Sequence, residues 1–545
     1  MKATVENAMR HAEQVGSLWR PLRTPQFRNL FIADLVSDMG TFMQSVGAAW
    51  LMVSLGASAT FVALTQTASS LPFFVLALPA GAIGDIVDRR KLILICEFWM
   101  VGVALLLVIA TLGGFMTPWL LLSLTFALSA GDAIETPTWR ALLPELVGKA
   151  DLASASALNG IEFNIARAVG PALAGVLIAA AGVGAAFVVN AVSFVGVIVV
   201  IARWRRPVRR SLAPLETVSG ATVAAIRYVR YSPELRAVMW RAGLTMFAAS
   251  ALLALLPAVA RSMSGHATVY GVLLGCFGTG AVLGALAMQP ARRRWSLEAV
   301  ASSAVAILGL MIVAAGAVST LPLLAVVMLI AGAGWLVFIS LVSALVQELT
   351  PDWARARVLA VFILTFQGGI AAGSTIWGAT ATRTGLSTTF VVAGLATMAA
   401  AALGLMWKLP DTSTDTTPWN HWRMPAIIRD AAPELAQGPV LVTVRYHVAR
   451  EHAEGFLRAM QKYGRIRHRD GASWWGIFRD VEHADRYVET FLVASWAEHL
   501  RQHERFTRGD REVEAQISRH VDGEPVVQHF IHADLSHADP GETVS

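Results

Sequence analysis

The feature that most limits how this chain can fold is a series of long apolar runs separated by polar loops. A membrane-spanning helix needs about 20 mostly apolar residues, and these runs reach that length. We therefore predict an all-α membrane protein with twelve transmembrane helices in two halves of six. The predicted spans are residues 28–54, 60–84, 91–112, 118–140, 155–181, 184–203, 237–260, 269–290, 298–318, 321–347, 357–382 and 387–408.

The charge distribution divides the chain into two regions near residue 410. Only 15% of the residues are charged, whereas soluble domains carry about 25%. Residues 1–410 have a net charge of +11, whereas residues 411–545 have −5 and hold 11 of the 13 histidines. We therefore expect a cytoplasmic segment (1–26), a first transmembrane half (27–203), a cytoplasmic inter-half loop (204–236) with a helix near 215–231, a second half (237–408), a linker (409–435), a cytoplasmic domain (436–535) and a disordered tail (536–545).

Basic residues are concentrated in alternate loops. Clusters occur at residues 89–91, 203–210 and 292–294, whereas the opposite loops hold little beyond Arg261 and Arg383. By the positive-inside rule, the basic loops and both termini are predicted to be cytoplasmic. This topology accounts for the pI of 9.6 without a nucleic-acid partner.

Other function classes find little support in the sequence. There is no Gly-x-x-x-x-Gly-Lys-[Ser/Thr] motif, which disfavours an ATP-driven pump. The two cysteines, Cys96 and Cys276, lie in apolar runs, and no residue spacing is typical of a metal site. The first apolar run is too long for a cleavable signal peptide. We expect no cofactor.

Charged side chains inside the predicted spans are concentrated in the first half. Asp34 and Asp38 are one helical turn apart and share one face of the first span. Charge at bilayer depth is costly, so we expect this face to line a hydrated cavity. Carboxylates in such a cavity bind and release protons, which favours proton-coupled alternating access. The candidate proton-coupling and cavity residues are Asp34, Asp38, Asp132, Glu135, Glu162 and Arg167.

The partner of Arg167 is predicted to come from another helix. Five residues separate Glu162 from Arg167, which rotates the side chain by about 140° around the helix. Those two residues therefore face different neighbours. The candidate partners are Asp34 and Asp38 of the first span and Asp132 and Glu135 of the fourth.

The loop after the second span resembles a motif of the major facilitator superfamily. The matching residues are Gly81, Asp85, Arg90 and Lys91. The resemblance implies that Asp85 helps to latch the cytoplasmic side shut, with Arg90 as its basic companion. Ile86 and Asp88 depart from the family pattern, so the latch is expected to be weaker or to act through Asp88.

A second stretch, with Gly170, Pro171 and Gly175, resembles the fifth-helix motif of the superfamily's antiporters. Residues 137–145 resemble the branch of bacterial exporters called transmembrane secretion effectors. The resemblance implies a multi-pass protein of the bacterial plasma membrane that exports small amphipathic molecules, such as drugs or siderophores, in exchange for protons. A lysolipid or lipid flippase on the same fold, or a transporter fused to an enzymatic tail, are the alternatives.

The region beyond the linker changes its pattern. Alternating apolar and polar residues at 440–448 predict a strand. Phe456, Met460 and Tyr463 recur at helical spacing and predict a first helix. Further strands are predicted at 474–478, 487–494 and 525–533, and a second helix at 496–520. The order β-α-β-β-α-β is that of a ferredoxin-like domain. The region resembles antibiotic-biosynthesis monooxygenase domains, which implies a regulatory or dimerising module.

Overall fold

The computed structural model describes residues 18–148, 151–204, 218–410, 415–419 and 434–532. Side chains at 77, 78, 81, 82, 84–86, 218–222 and 405 also fall outside that description. The predicted disordered tail and most of the predicted linker lie outside the described residues. The chain forms two compact units. The larger comprises residues 1–214, 238–343 and 360–411, and the smaller comprises residues 215–237, 344–359 and 412–545.

The first transmembrane half consists of six helices at the predicted positions. Their apolar residues recur on all sides, as expected for helices in lipid. The fourth helix follows a capping threonine, Thr117, and the third follows Asp88, whose side chain accepts a hydrogen bond from the Lys91 amide. The helices are α1 (Pro25–Ser54), α2 (Ala59–Ile86), α3 (Arg89–Leu112), α4 (Pro118–Leu146), α5 (Leu152–Ala181) and α6 (Val183–Arg203).

The second half also consists of six helices, and a helix of the inter-half loop precedes them. That helix, α7, covers Val218–Tyr231 of the predicted 215–231. The remaining helices are α8 (Pro233–Ser264), α9 (Ala267–Arg294), α10 (Leu297–Ala317), α11 (Leu321–Glu348), α12 (Arg355–Thr384) and α13 (Leu386–Ala402).

Nine helices of the described chain are long and apolar enough to cross a membrane by a strict hydropathy test. The other three are α13, which is shorter, and α1 and α4, which carry Asp34, Asp38, Asp132 and Glu135. The two helices that fail on polarity therefore carry four of the five predicted cavity acids, and the fifth, Glu162, lies on α5. The fold class predicted from the sequence is confirmed.

Two glycines mark equivalent joints in the two halves. Gly182 joins the fifth helix to the sixth with φ +80°, and Gly385 makes the corresponding joint in the second half with φ +85°. This left-handed backbone region is readily available to glycine and strained for other residues. The matching geometry supports two related halves.

The C-terminal region contains a four-stranded antiparallel sheet. The strands are β1 (Val440–His447), β2 (Trp474–Arg479), β3 (Arg486–Val493) and β4 (Val526–Ile531), in the spatial order β2-β3-β1-β4. Helices α14 (Ala453–Asp470), α15 (Trp496–Arg505) and α16 (Arg508–Ser518) accompany them. Alternate residues of β1 pack against Phe456 and Met460 of α14 in the domain core.

The single helix predicted at 496–520 is wrong. The chain forms two helices there because Thr507 caps the second one. Thr507 accepts a hydrogen bond from the Asp510 amide, and the Asp510 carboxylate accepts one from the Thr507 amide. This reciprocal pair is a capping box, which starts a new helix.

Candidate functional site

Six acidic side chains from four helices of the first half form one cluster. Each interacts electrostatically with at least one of the others, and the helices α1, α3, α4 and α5 contribute them. Five were predicted from the sequence and the sixth, Glu97, was not. The members of this acid cluster are Asp34, Asp38, Glu97, Asp132, Glu135 and Glu162.

Asp34 lies next to an aromatic side chain of α4. Trp139 Nε1 donates a hydrogen bond to Asp34 Oδ2 at 3.1 Å. A small cleft beside this pair is lined by Phe27, Phe31 and Asn159. The indole therefore orients the carboxyl group of Asp34 at the border between an apolar cleft and the acid cluster.

Asp38 is the acid that acts on Arg167. Its carboxyl group interacts with the guanidinium of Arg167 on α5 and with the carboxyl group of Asp132 on α4. Asp38 was one of the four candidate partners predicted for Arg167. The Arg167 guanidinium also lies 4.8 Å from the centre of the Phe163 ring, in a cation–π arrangement. Asp34 and Glu162 also interact with Asp38, so this carboxyl group lies among one cation and three other acids.

Glu97 and Glu135 bring two carboxyl groups together. Their carboxyl groups interact electrostatically across α3 and α4, and their residues are only 3% and 6% exposed. Within the described chain, Oε2 of each is buried without a hydrogen-bond partner. Two carboxylates in contact repel each other, so a shared proton stabilises such a pair.

Asp132 and Glu162 complete the cluster. Thr136 Oγ1 donates to Asp132 Oδ1 at 3.1 Å, and the guanidinium of Arg140 also interacts with Asp132. Glu162 is 2% exposed, and its Oε1 has no partner among the described residues. The cluster thus brings six carboxyl groups together with two guanidinium groups, which is an arrangement suited to binding protons or a cation. In the described residues, no group of three or more His, Cys, Asp or Glu side chains has the geometry of a metal site.

The predicted latch loop holds the ends of neighbouring helices. Arg90 donates to the carbonyl oxygens of Ile201 and Ala202 at the end of α6. Arg89 pairs with Glu145 of α4 at 2.8 Å. Lys91 contributes its amide to the Asp88 cap, and the side chain of Asp85 lies outside the described residues, as does the burial of Gly81. Arg90 of the motif therefore binds α6, and its neighbour Arg89 binds α4.

The Gly170–Pro171 element lies where helices come unusually close. A Cβ atom at Gly170 would be 2.9 Å from Cβ of Phe42 on α1. A Cβ atom at Gly271 of α9 would be 2.7 Å from Cα of Gly175 and 3.0 Å from the carbonyl oxygen of Pro171. The predicted motif thus forms a backbone contact between the first half and the second.

Helices α2 and α12 form another contact between the halves. Thr60 and Thr382 share a hydrogen bond at 2.8 Å between their Oγ1 atoms, and Thr67 and Thr375 share one at 3.0 Å. Both pairs lie toward the end of the bundle opposite the basic loops. These threonines hold the two halves together at that end.

The second half buries one arginine in a closed cluster. Arg241 of α8 is 1% exposed and forms an ion pair with Glu298 of α10. Arg241 also donates to Ser302 Oγ at 3.0 Å, and Glu298 accepts from the Leu409 amide at 2.8 Å. Here the charges balance each other, unlike those of the acid cluster.

Glu97 was not predicted from the sequence, nor was the polar pair formed by Gln44 and Asn190, which hydrogen-bond between α1 and α6. Glu97 carried a usable signal, since it is an acid inside the predicted span 91–112. The Gln44–Asn190 pair carried none, because amides 146 residues apart give no indication that they meet.

Comparison with known proteins gives consistent results. A family profile described as transmembrane secretion effector matches residues 16–537. The multidrug efflux pump Tap of Mycolicibacterium fortuitum is 28% identical over 396 residues, covering 67% of this chain and 91% of Tap. The enterobactin exporter EntS of Salmonella typhimurium is 27% identical over 278 residues, covering 48% and 63%. The staphyloferrin A transporter of Staphylococcus aureus is 23% identical over 180 residues, covering 30% and 42%. The chain thus spans less than two thirds of the last two relatives.

Solved structures share the architecture at low sequence identity. A bacterial homologue of the human lysosomal transporter Spinster, in an inward-facing and occupied conformation, has a TM-score of 0.58 at 13% identity, covering 71% of this chain and 97% of the other. The nucleoside transporter NupG has a TM-score of 0.59 at 12% identity, covering 70% and 100%. At these identities the likeness concerns the fold.

Proposed function

The chain belongs to the transmembrane secretion effector family of major facilitator transporters, and from this membership we propose that it exports small amphipathic molecules in exchange for protons. It is a multi-pass membrane transporter of small molecules and not an enzyme. Its relatives are named for the efflux of drugs and the transport of the siderophores enterobactin and staphyloferrin A. Molecules of these classes are therefore the proposed substrates.

The observation that carries proton coupling is the acid cluster. Its carboxyl groups outnumber the neighbouring guanidinium groups by six to two, and several are buried without a partner in the described chain. Burial of an unpaired carboxylate is costly, so protons provide the missing compensation. In the proposed cycle, a proton on Asp38 frees Arg167, and loss of that proton restores their interaction.

Alternating access would link this exchange to movement. A conformation is favoured by a ligand only to the extent that the ligand binds it better than the other. Protons and substrate compete for the acid cluster in this scheme, so that one leaves as the other binds. An acid-rich site attracts cations, which makes an amphipathic cation a suitable first probe.

The proposal can be tested in proteoliposomes with an imposed pH gradient, using ethidium as the probe. The gradient should accelerate wild-type ethidium transport, and Asp38→Asn should reduce that acceleration by about tenfold or more. Asp151→Asn is the matched control, because Asp151 pairs with Arg20 outside the acid cluster. Gradient-insensitive transport by the wild type, or a normal response of Asp38→Asn, would contradict proton coupling.

The same vesicles distinguish the lipid alternative. A fluorescent lysophospholipid replaces ethidium, and its movement is followed by quenching at the outer surface. A flippase is favoured over a proton-coupled exporter if lysophospholipid moves at a rate that does not depend on the pH gradient and ethidium is not transported.

We further propose that the basic loops and both termini face the cytoplasm of a bacterial cell, in the inner membrane. The support is the distribution of basic residues, such as Arg292, Arg293 and Arg294 at the end of α9. A fluorescent protein that folds only in the cytoplasm, fused to the C-terminus, should be bright. A dark fusion at normal expression would contradict this orientation.

Pairing of two C-terminal domains is also a proposal. One row across the sheet aligns Trp474, Leu492, Leu441 and Phe530. Its end residues Trp474 and Phe530 are about half exposed, and an exposed apolar surface is typical of an interaction site. Light scattering of the purified chain should give a dimer mass, which Trp474→Glu should reduce to a monomer mass. A wild-type monomer would contradict pairing.

A further inference from the structure

The smaller unit of the protein is assembled from three separate parts of the chain. One is α7 with the first residues of α8, another is the segment 344–359 around the α11–α12 loop, and the third is the C-terminal region. We propose that the C-terminal domain is an intramolecular brace, which binds α7 and the α11–α12 loop and holds the adjoining ends of α8, α11 and α12 in a fixed arrangement.

Glu498 is the centre of the contact with α7. Its Oε1 accepts hydrogen bonds from Arg227 of α7 at 2.9 Å and from Arg505 at 2.7 Å, and its Oε2 accepts one from Arg501 at 2.9 Å. Burial acts to raise the pKa of Glu498, but the charge of Arg505 and these three donors outweigh it and hold that pKa below its ordinary value. Glu498 is therefore a carboxylate that joins one guanidinium of α7 to two of α15.

Arg505 extends the contact to the α11–α12 loop. Its guanidinium lies 4.7 Å from the centre of the Trp353 ring, and it also donates to the carbonyl oxygen of Asp470 at 2.6 Å. Trp353 packs edge-on against Tyr228 of α7 at 5.6 Å, and the Tyr228 hydroxyl donates to the carbonyl oxygen of Leu349 at 3.4 Å. The three parts of the chain thus meet around two aromatic rings.

The end of α14 binds α7 from a second side. Arg469 forms ion pairs with Asp470 and Asp510 at 2.8 and 2.7 Å, and its guanidinium lies 5.3 Å from the Tyr228 ring. The ring of His468 stacks on that of Tyr231 at 4.9 Å. α7 therefore contacts the C-terminal domain over its last turns, just before α8 begins at Pro233.

The partial burial of these charges indicates that the C-terminal domain stays bound to α7. Glu498 and Arg227 are 13% and 21% exposed at their side chains, and removing one partner of a desolvated pair leaves the other charge uncompensated. A domain that detached in every cycle would repeatedly expose Trp353 and Tyr228 and separate these charges. A brace that stays bound avoids both costs, and it makes the connected helix ends move as one body.

Hydrogen exchange of the full-length protein in detergent tests the brace without any transport assay. Glu498→Gln keeps the side-chain shape and removes the charge, so amides of α7 and of residues 349–354 should exchange at least about tenfold faster. Glu454→Gln is the matched control, because Glu454 pairs with Arg458 at an exposed position of the same domain. Unchanged exchange in Glu498→Gln would overturn the proposal.

A second variant tests the brace even if Glu498→Gln unfolds part of the C-terminal domain. Arg227→Gln alters α7 alone and leaves the domain sequence intact. We expect faster exchange in residues 349–354 and α7 with unchanged protection of β1 and β3, and partial recovery in Arg227→Lys. Normal protection of residues 349–354 in Arg227→Gln would contradict the brace.

A transport measurement tests the role of the brace in the transport cycle. This test rests on the proposed function. Arg227→Gln should lower the turnover of ethidium transport severalfold with little change in its KM, because the brace acts on movement and not on the acid cluster. A pure KM change would overturn the link to movement. If the wild type failed to transport ethidium, the exchange result would still decide whether the brace exists.

Discussion

The first transmembrane half buries carboxyl groups on α1, α3, α4 and α5, whereas the second half buries the guanidinium of Arg241 against Glu298. In the first half the acids outnumber their cationic neighbours, and carboxyl oxygens such as Oε1 of Glu162 have no partner in the described chain. In the second half the ion pair is completed by Ser302 and the Leu409 amide. The two halves share one arrangement of helices but differ in their buried charges: the first has an excess of acids, and the second has a one-to-one ion pair.

This difference indicates that the two halves have different roles in transport. An incompletely compensated carboxyl group responds to protons, because a proton changes its charge and its interactions. A one-to-one ion pair such as Arg241–Glu298 responds less and instead fixes α8 against α10. We infer that the first half contains the chemistry of the cycle and the second half provides a stiff surface that moves against it at the glycine and threonine contacts.

The largest expected effect comes from preventing movement between the halves. Thr67→Cys with Thr375→Cys, in a chain whose Cys96 and Cys276 are replaced by alanine, places two sulfurs where the threonine oxygens are 3.0 Å apart. A disulfide needs the sulfurs about 2.0 Å apart, so a small approach of α2 and α12 closes it. Oxidation should abolish ethidium transport, and a reducing agent should restore it.

The control for this crosslink is each single variant, Thr67→Cys or Thr375→Cys, in the same background. A single cysteine cannot join α2 to α12, so oxidation should leave most of the transport intact. Full transport after complete oxidation of the Thr67–Thr375 pair would mean that the halves need not separate there.

A second prediction compares the stability and transport lost when one acid of each half is neutralised. Glu298→Gln leaves Arg241 buried without a counter-charge, so the free energy of unfolding should fall by about 3 kcal/mol. Glu135→Gln removes no cationic partner and should change that free energy by about 1 kcal/mol or less while impairing gradient-driven transport. Denaturant unfolding in detergent compares the two variants. Equal destabilisation would remove the distinction between the halves.

The backbone contact between α5 and α9 provides a third, smaller effect. Gly271→Ala would place a methyl group 2.7 Å from Cα of Gly175, at a cost of about 2 kcal/mol if the helices cannot separate. Gly275→Ala is the matched control, since its Cβ would be 3.4 Å from the nearest atom, in Ala172. Transport should drop in the first variant and not in the second. Normal transport and stability in both would mean that the contact adjusts freely.

The smallest predicted effect concerns the latch loop. The family resemblance assigns Asp85 to a conformational equilibrium, so Asp85→Asn should slow turnover by roughly fivefold with little change in substrate affinity. Initial rates over a range of ethidium concentrations separate the two quantities. A loss of affinity at normal turnover would contradict the latch.

Much of the fold was predictable because each span is encoded locally. All twelve predicted spans fall on helices, with ends that differ by at most six residues, since about 20 apolar residues between polar loops leave few other structures in lipid. The break in the helix at Phe506 and Thr507 was missed, because a capping threonine also occurs in continuous helices. Its signal is the acid three residues later, Asp510.

The candidate site was predictable in its residue types and less so in its contacts. Asp34 and Asp38 are conspicuous because charge at bilayer depth is rare, and the same argument applied to the span 91–112 would have found Glu97. The hydrogen bond from Trp139 to Asp34, and the ion pair of Arg227 with Glu498, join residues far apart in the chain. Such pairs depend on helix packing, which no local pattern specifies.

The most direct test of the acid cluster as the proton-coupling site is proton release on substrate binding. Ethidium is added to purified protein in weakly buffered solution containing a pH-sensitive dye. We predict that the wild type and Asp151→Asn release protons in proportion to bound ethidium, and that Asp38→Asn releases markedly fewer. Ethidium binding by the wild type with no release of protons would contradict the account.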